Sequence, residues 1–408
     1  MLPKSLGPDF TKLWIASTVS NAGDGVTLAA GPLLLASLTS DPALIAGAVF
    51  VQQLPWLLFS LLSGAAVDRV DRRRLVVVVD LARGLVIAGL AGAVWAGAGS
   101  IAVVYAALFL LGTGKTLADN ASNALIPDVV AEGDLPRANA RLVTVFLLGN
   151  QLGGPPLGAY LFAAVAALPF GLDAASFVVA AALIASTRTA PIKSAPAEKR
   201  PLRAEIGEGL RWLWRHRVLR MLALSLCLMN LTLTGTMAIY VLYARERLGL
   251  GEAGFGLLLS ATAIGGIPGS ALASSLVNRW GATTLMRVGL VIETLTHLSL
   301  AVARSAWHAG VTLVLFGVHA VVWSVITRSV RQREVPADLR GRVNSVYLLL
   351  SIGGSALGAL AGGVVARDLG VTAPFWMAFG LMALLTTVAW KGFGAVDQTT
   401  KAGRSAWS

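Results

Sequence analysis

Ser63-Gly-Ala-Ala-Val-Asp-Arg-Val-Asp-Arg-Arg-Arg-Leu75 decides the fold. Long apolar runs lie on both sides of it. Gly64 stands four residues before the pair Asp68-Arg69, and Arg72, Arg73 and Arg74 follow. A glycine, an acid and a basic cluster between two apolar runs read as a short charged hairpin joining two membrane helices. A weaker copy stands at Val277-Asn278-Arg279. The duplication predicts a membrane protein made of two related halves.

Composition agrees with that reading. Of 408 residues, 56% are hydrophobic and only 13% are charged, with a mean hydropathy of +0.72. A soluble domain carries about a quarter of its residues charged. The high glycine content, 44 residues, suits helices that approach closely in lipid. Twelve apolar runs of roughly 20 residues, enough to cross the hydrocarbon core, predict an all-α membrane protein with twelve transmembrane helices. The first six are expected near Leu13–Leu38, Leu44–Val67, Leu75–Val94, Ile101–Ala121, Leu142–Ala164 and Phe170–Ser186. The second six are expected near Met221–Tyr243, Gly254–Leu276, Leu285–Ala303, Trp307–Thr327, Val343–Val365 and Pro374–Trp390. Residues 1–187 then form one six-helix bundle, and residues 221–408 the other with a short tail.

Residues 188–220 separate the halves. Pro191, Pro196 and Pro201 mark a linker, and Arg203–Arg215 reads as an amphipathic surface helix with Trp212 and Trp214 at headgroup level. The halves repeat beyond the hairpin. Arg137-Ala-Asn139 matches Arg342-Val-Asn344, and Gly153-Gly-Pro-Pro-Leu-Gly-Ala159 matches Gly353-Gly-Ser-Ala-Leu-Gly-Ala359. Matches in the same order point to a parallel six-helix repeat.

Charge predicts orientation. With the N-terminus inside, 28 of the 33 Lys and Arg residues fall in inside segments, and Arg245, Arg247, Arg304 and Arg367 fall outside. That asymmetry predicts a multi-pass plasma-membrane protein with both termini cytoplasmic. It also accounts for the net charge of +12 without a nucleic-acid partner, because the basic residues follow topology rather than one face. Cys227 is the single cysteine, so no disulfide framework is expected. The first apolar run has no small-residue cleavage site after it and reads as a retained span. Gly114-Lys115-Thr116 has Phe109 where a phosphate loop needs glycine. No metal motif is seen either, so neither an enzyme nor a bound cofactor is expected.

The sequence resembles the major facilitator superfamily over nearly its whole length. The loop motif is carried by Gly64, Asp68, Arg69, Arg72, Arg73 and Arg74, with Asp71 where the family usually has glycine. The antiporter-type motif of span five is carried by Gly154, Pro155 and Gly158, with departures at Asn150 and Ala159. Ser20–Gly25, Leu54-Pro-Trp56, Asp68–Arg72, Trp214-Arg-His216 and Leu339–Asn344 look closer still to a branch that includes enterobactin and macrolide exporters. The resemblance implies a monomeric exporter of small molecules, with protons and lipid as its other partners. Spans one, two, five and seven would line its cavity, and spans three, six, nine and twelve would support the bundles from outside.

Asp24 lies about 18 Å into span one at 1.5 Å per residue, near the midplane. An intramembrane carboxylate is costly and is a functional candidate by default. It reads as a proton-coupling group or a counter-charge for cargo, against a structural carboxyl bonded to a neighbouring helix. Lys115 and Asp119 are four apart on span four, which predicts an internal ion pair. Glu293 and His297 are likewise four apart on span nine, where a satisfied polar pair is the favoured reading. Asp119, Glu293 and His319 remain further proton candidates, and Lys115 is a further candidate for the cavity. Asn21, Gln53, Asn150, Gln151, Asn230, Thr232 and Tyr240 are polar candidates for the cavity, and Trp56 and Phe146 for its apolar wall. The loop motif, Gly64 and Asp68 above all, reads as a conformational latch.

The function expected is proton-driven export of small amphipathic molecules of drug, antibiotic or siderophore type by alternating access. An importer, an uncoupled facilitator of the same fold, and a receptor or scaffold that has lost transport stay open.

Overall fold

The computed structural model describes residues 6–67, 70–188, 202–336 and 339–393. Asp68 and Arg69 lie outside the described residues, as does most of the proline-rich linker. The N-terminal helices are α1 (Pro8–Leu38), α2 (Pro42–Val67), α3 (Arg72–Trp95) and α4 (Ile101–Val129). Next come α5 (Leu135–Val145), a π-helical stretch (Phe146–Gly153), α6 (Gly154–Ala164) and α7 (Leu168–Ala185). The chain continues with α8 (Leu202–Arg215), α9 (Arg217–Met237), the single turn α10 (Tyr240–Leu242) and α11 (Glu252–Trp280). It closes with α12 (Ala282–Val302), α13 (Ala306–Glu334), α14 (Arg340–Leu369) and α15 (Ala373–Gly392). There is no strand among the described residues.

Ten of these helices are long and apolar enough to cross a membrane. The two other expected spans are helical as well, for reasons the residues supply. Ser17, Thr18, Ser20, Asn21, Asp24 and Thr27 dilute the apolar run of α1. Span five is divided, with its π-helical stretch ending where Gly154, Pro155 and Pro156 begin α6. A proline has no N–H for the carbonyl four residues back, and wider π turns accommodate such a defect. Leu152, which Pro156 leaves without that donor, has its carbonyl capped at 2.8 Å by the Ser260 hydroxyl of α11.

Short polar residues set several helix starts. Asp71 opens α3 by accepting the Arg74 N–H at 3.0 Å, Ser100 opens α4 through Val103, and Ser305 opens α13 through His308. Each satisfies a backbone donor left over in a first turn. Arg72 reaches Asp128 at 3.3 Å and the Ala124 carbonyl, tying α3 to α4, while Arg73 donates to the Thr187 carbonyl beyond α7 at 2.7 Å. These two arginines of the loop motif therefore anchor helix ends.

Contacts divide the chain into two compact units. The first holds Met1–Ser40, Val51–Glu198 and Leu250–Ser260; the second holds Asp41–Phe50, Lys199–Gly249 and Ala261–Ser408. Within the first, α6 lies directly on α1. A Cβ at Gly158 would strike the Val26 carbonyl, and one at Gly154 would come within 2.6 Å of the Gly25 backbone. Within the second, α14 lies on α9 in the same manner. A Cβ at Gly358 would strike the Leu231 carbonyl, and one at Gly354 the Cys227 carbonyl. The repeated glycine segments thus perform one task twice, close approach of backbones.

Helix α8 is more than a surface helix. Leu213 is buried, Glu208 meets Arg342 of α14 at 2.7 Å, and Gly209 faces the Arg342 backbone. Trp214 is exposed as expected, whereas Trp212 packs on the core and stacks on His216.

Candidate functional site

The first unit holds a chain of charges inside its helices. Asp24 of α1 accepts from Arg83 Nη2 of α3 at 2.8 Å and from Lys115 Nζ of α4 at 3.3 Å. Lys115 in turn lies 3.4 Å from Asp119, one turn along α4. Behind Asp24, Arg83 lies 3.7 Å from Asp80 on its own helix, and its guanidinium covers the Phe177 ring at 4.1 Å. Asp173 of α7 accepts from the Thr27 hydroxyl at 2.6 Å and the Ser176 hydroxyl at 3.2 Å.

Burial grades along this chain. Asp80, Arg83 and Asp173 are buried, Asp24 is half-buried, and the side chains of Lys115 and Asp119 are 35% and 40% exposed. The charges therefore run from the bundle interior to an open surface. The six groups are four carboxyls and two permanent cations, so the cluster holds fewer positive charges than acids. A carboxyl held out of water without its own cation takes up a proton or a hydrogen-bond donor.

Three members were not expected. Arg83, one of the 28 basic residues expected in inside segments, lies on α3 and is buried, so it is not an orienting charge. Asp80 and Arg83 sit three apart inside an apolar run, a spacing that places both on one helix face and marks them. Asp173 was passed over in the same way on span six. Helices α3 and α7, expected to support the bundle from outside, thus contribute charged groups to its interior. Asp24 takes its partners from α3 and α4.

The second unit holds a separate polar cluster. Glu293 of α12, 1% exposed, meets His319 Nε2 of α13 at 3.2 Å, with His297 Nε2 farther off at 3.8 Å. The expected Glu293–His297 pair is present at ion-pair distance, and His319, not paired with Glu293 in the sequence reading, is the hydrogen-bond partner. Glu293, His319 and Asn230 line a cavity of about 260 Å³.

The remaining candidates divide by exposure. Asn21 turns back to the Ser17 carbonyl at 2.7 Å, and Asn230 to the Leu226 carbonyl at 2.8 Å. Gln53 and Trp56 are half-buried on α2, and Phe146 and Gln151 are exposed on the π-helical stretch. The backbone of Asn150 packs on Gly25. Thr232 and Tyr240, expected on the cavity wall, are each 1% exposed. Thr232 donates to carbonyls of its own helix, and Tyr240 stacks on Tyr243 at 5.6 Å. Neither offers a cargo any surface here. Among the described residues no group of His, Cys, Asp and Glu is arranged to hold a metal ion.

Repeated helix pairs, ten membrane-length helices and charges held inside the bundles define a membrane transporter of the major facilitator type. The chain belongs to the family described as transmembrane secretion effector, which matches residues 7–404. It is 29% identical to the multidrug efflux pump Tap of Mycolicibacterium fortuitum, over 94% of this chain and 95% of that one. It is 24% identical to the enterobactin exporter EntS of Salmonella typhimurium, over 92% and 90%. In fold it is similar to a point mutant of the nucleoside transporter NupG, with a TM-score of 0.79 at 11% identity over 95% of this chain and 100% of that one. A bacterial homologue of the iron transporter ferroportin gives a TM-score of 0.76 at 21% identity over 96% and 99%.

Proposed function

We propose that this protein is a proton-coupled exporter of small amphipathic molecules, and that Asp24 carries the coupling proton. One observation carries the reading. Asp24 is a membrane-embedded carboxyl held by two cations, one of which, Lys115, has a second carboxyl within equal reach. Protonation of Asp24 removes the charge that holds Arg83 and Lys115. Arg83 keeps Asp80 as its partner, and Lys115 passes to Asp119. One proton thus turns Lys115 from a cation shared between two carboxylates into one paired with Asp119 alone.

Such a movement couples only if proton and cargo favour different states of the transporter, since a ligand of equal affinity for both shifts nothing. Asp119 and Lys115 are exposed, so cargo groups have access to the same pair. The efflux pump and siderophore exporter among the relatives support the outward direction and a small organic cargo. The Lys and Arg asymmetry supports cytoplasmic termini, with export running away from them. The test is accumulation of cargo in proteoliposomes under an imposed pH gradient, compared between the wild type and Asp24→Asn. An uncoupled facilitator or an importer would each give a different dependence on the direction of that gradient.

A further inference from the structure

The cavity of the second unit has two unlike ends. At one end are Glu293 and His319, joined at 3.2 Å. At the other are Arg328 and Arg331, near the end of α13. Trp323 lies between them along α13, Phe316 lies beyond His319, and apolar side chains of α9 complete the lining. Its volume of about 260 Å³ is close to the smaller ligand pockets, which begin near 300 Å³.

The two arginines are not ordinary loop charges. Among the described residues neither has a carboxylate within ion-pair distance. Arg331 is held in place over the Tyr347 ring at 4.7 Å. Arg328, Arg331 and Arg340 also line an adjoining cavity of about 280 Å³, so the cationic end is open over some distance. At the inner end, Glu293 Oε1 and Trp323 Nε1 are buried without a hydrogen-bond partner among the described residues.

We infer that this cavity binds a small organic anion with an aromatic or apolar body. Its acidic head rests on Arg328 and Arg331, where two guanidiniums suit a carboxylate or sulfonate. Its body lies against Trp323. A cation is disfavoured at that end by the two guanidiniums, while Glu293 is already engaged by His319. The inference rests on the exporter reading only for the use made of binding, since it names a class of cargo.

Isothermal titration of the purified full-length protein, in nanodiscs of uncharged phosphatidylcholine, tests it with 2-naphthoate, 2-naphthylmethanol, 2-naphthylmethylamine and inorganic phosphate. Naphthoate is expected to bind at least tenfold more tightly than the other three. Arg328→Gln and Arg331→Gln are each expected to weaken naphthoate tenfold or more and to leave the alcohol unchanged. Ser324→Trp, which fills the cavity without removing a charge, is expected to abolish naphthoate binding and guards against misfolded arginine variants. Equal or tighter binding of the amine overturns the proposal. So does phosphate binding as tightly as naphthoate, which marks a plain anion patch, and so does an absence of naphthoate binding. Naphthoate affinity unchanged in Ser324→Trp overturns it as well. No gradient is present in this assay, so a failure here leaves proton coupling untouched, and a failure of coupling leaves this result standing.

Discussion

Lys115 Nζ lies 3.3 Å from Asp24 Oδ2, across the interface of α4 with α1, and almost the same distance from a second carboxyl on its own helix. A cation shared between two acids has two positions of similar energy, provided that the charge of one acid is variable. In the proposed coupling scheme Asp24, half-buried and tied to Arg83, is the acid whose charge decides where Lys115 goes.

Asp119 is the alternative partner, and its removal separates coupling from folding. The Lys115–Asp119 pair is more than a third exposed on both sides, and exposed pairs contribute at most about 1 kcal/mol. Asp119→Asn is therefore expected to leave the thermal midpoint nearly unchanged while coupled transport falls tenfold or more. Transport at the wild-type rate, measured at matched expression, would show that Lys115 does not use Asp119.

Arg83 is structural as well as electrostatic. Its side chain is buried between Asp24 and Asp80 and stacks on Phe177. Removing one partner of a buried pair costs about 3–5 kcal/mol, because the other charge is left uncompensated. Arg83→Met should greatly reduce the yield of folded protein, and Arg83→Met combined with Asp24→Asn should recover part of it. Full stability of the single variant, by thermal melting in detergent, would count against an ionic Asp24–Arg83 pair.

The glycine segments give a matched test of the repeat. Gly158→Ala would press a methyl group on Val26, and Gly358→Ala would press one on Leu231. Overpacking of this kind costs about 1–3 kcal/mol. Both variants should melt earlier by similar amounts. A neutral result for either would mean that its helix pair relaxes without loss.

Much of this was legible in the sequence, and the failures have physical causes. Asp24 and Lys115 stood out because charges are rare in apolar runs, and the i, i+4 spacing gave Lys115–Asp119 directly. Arg83 was hidden by the arginine cluster just before it, which made it resemble one more loop charge. The pairing of Glu293 with His319 as well as His297 depends on how α12 and α13 face each other, and spacing along one helix carries no information on that. The glycine motif was visible as a repeat, while its task became visible only once α6 was seen on α1 and α14 on α9. The π-helical stretch was not foreseen, although its cause, two successive prolines after paired glycines, is written in the chain.

The most direct test of the central claim is cargo accumulation by Asp24→Asn in proteoliposomes under an imposed pH gradient, using whichever amphipathic dye or antibiotic the wild type concentrates best. Asn keeps the size and hydrogen-bonding reach of Asp without a proton to exchange. The account predicts a folded, inserted variant that no longer concentrates the compound yet still equilibrates it down its own gradient. Uphill transport at the wild-type level would contradict it and remove Asp24 from the coupling mechanism.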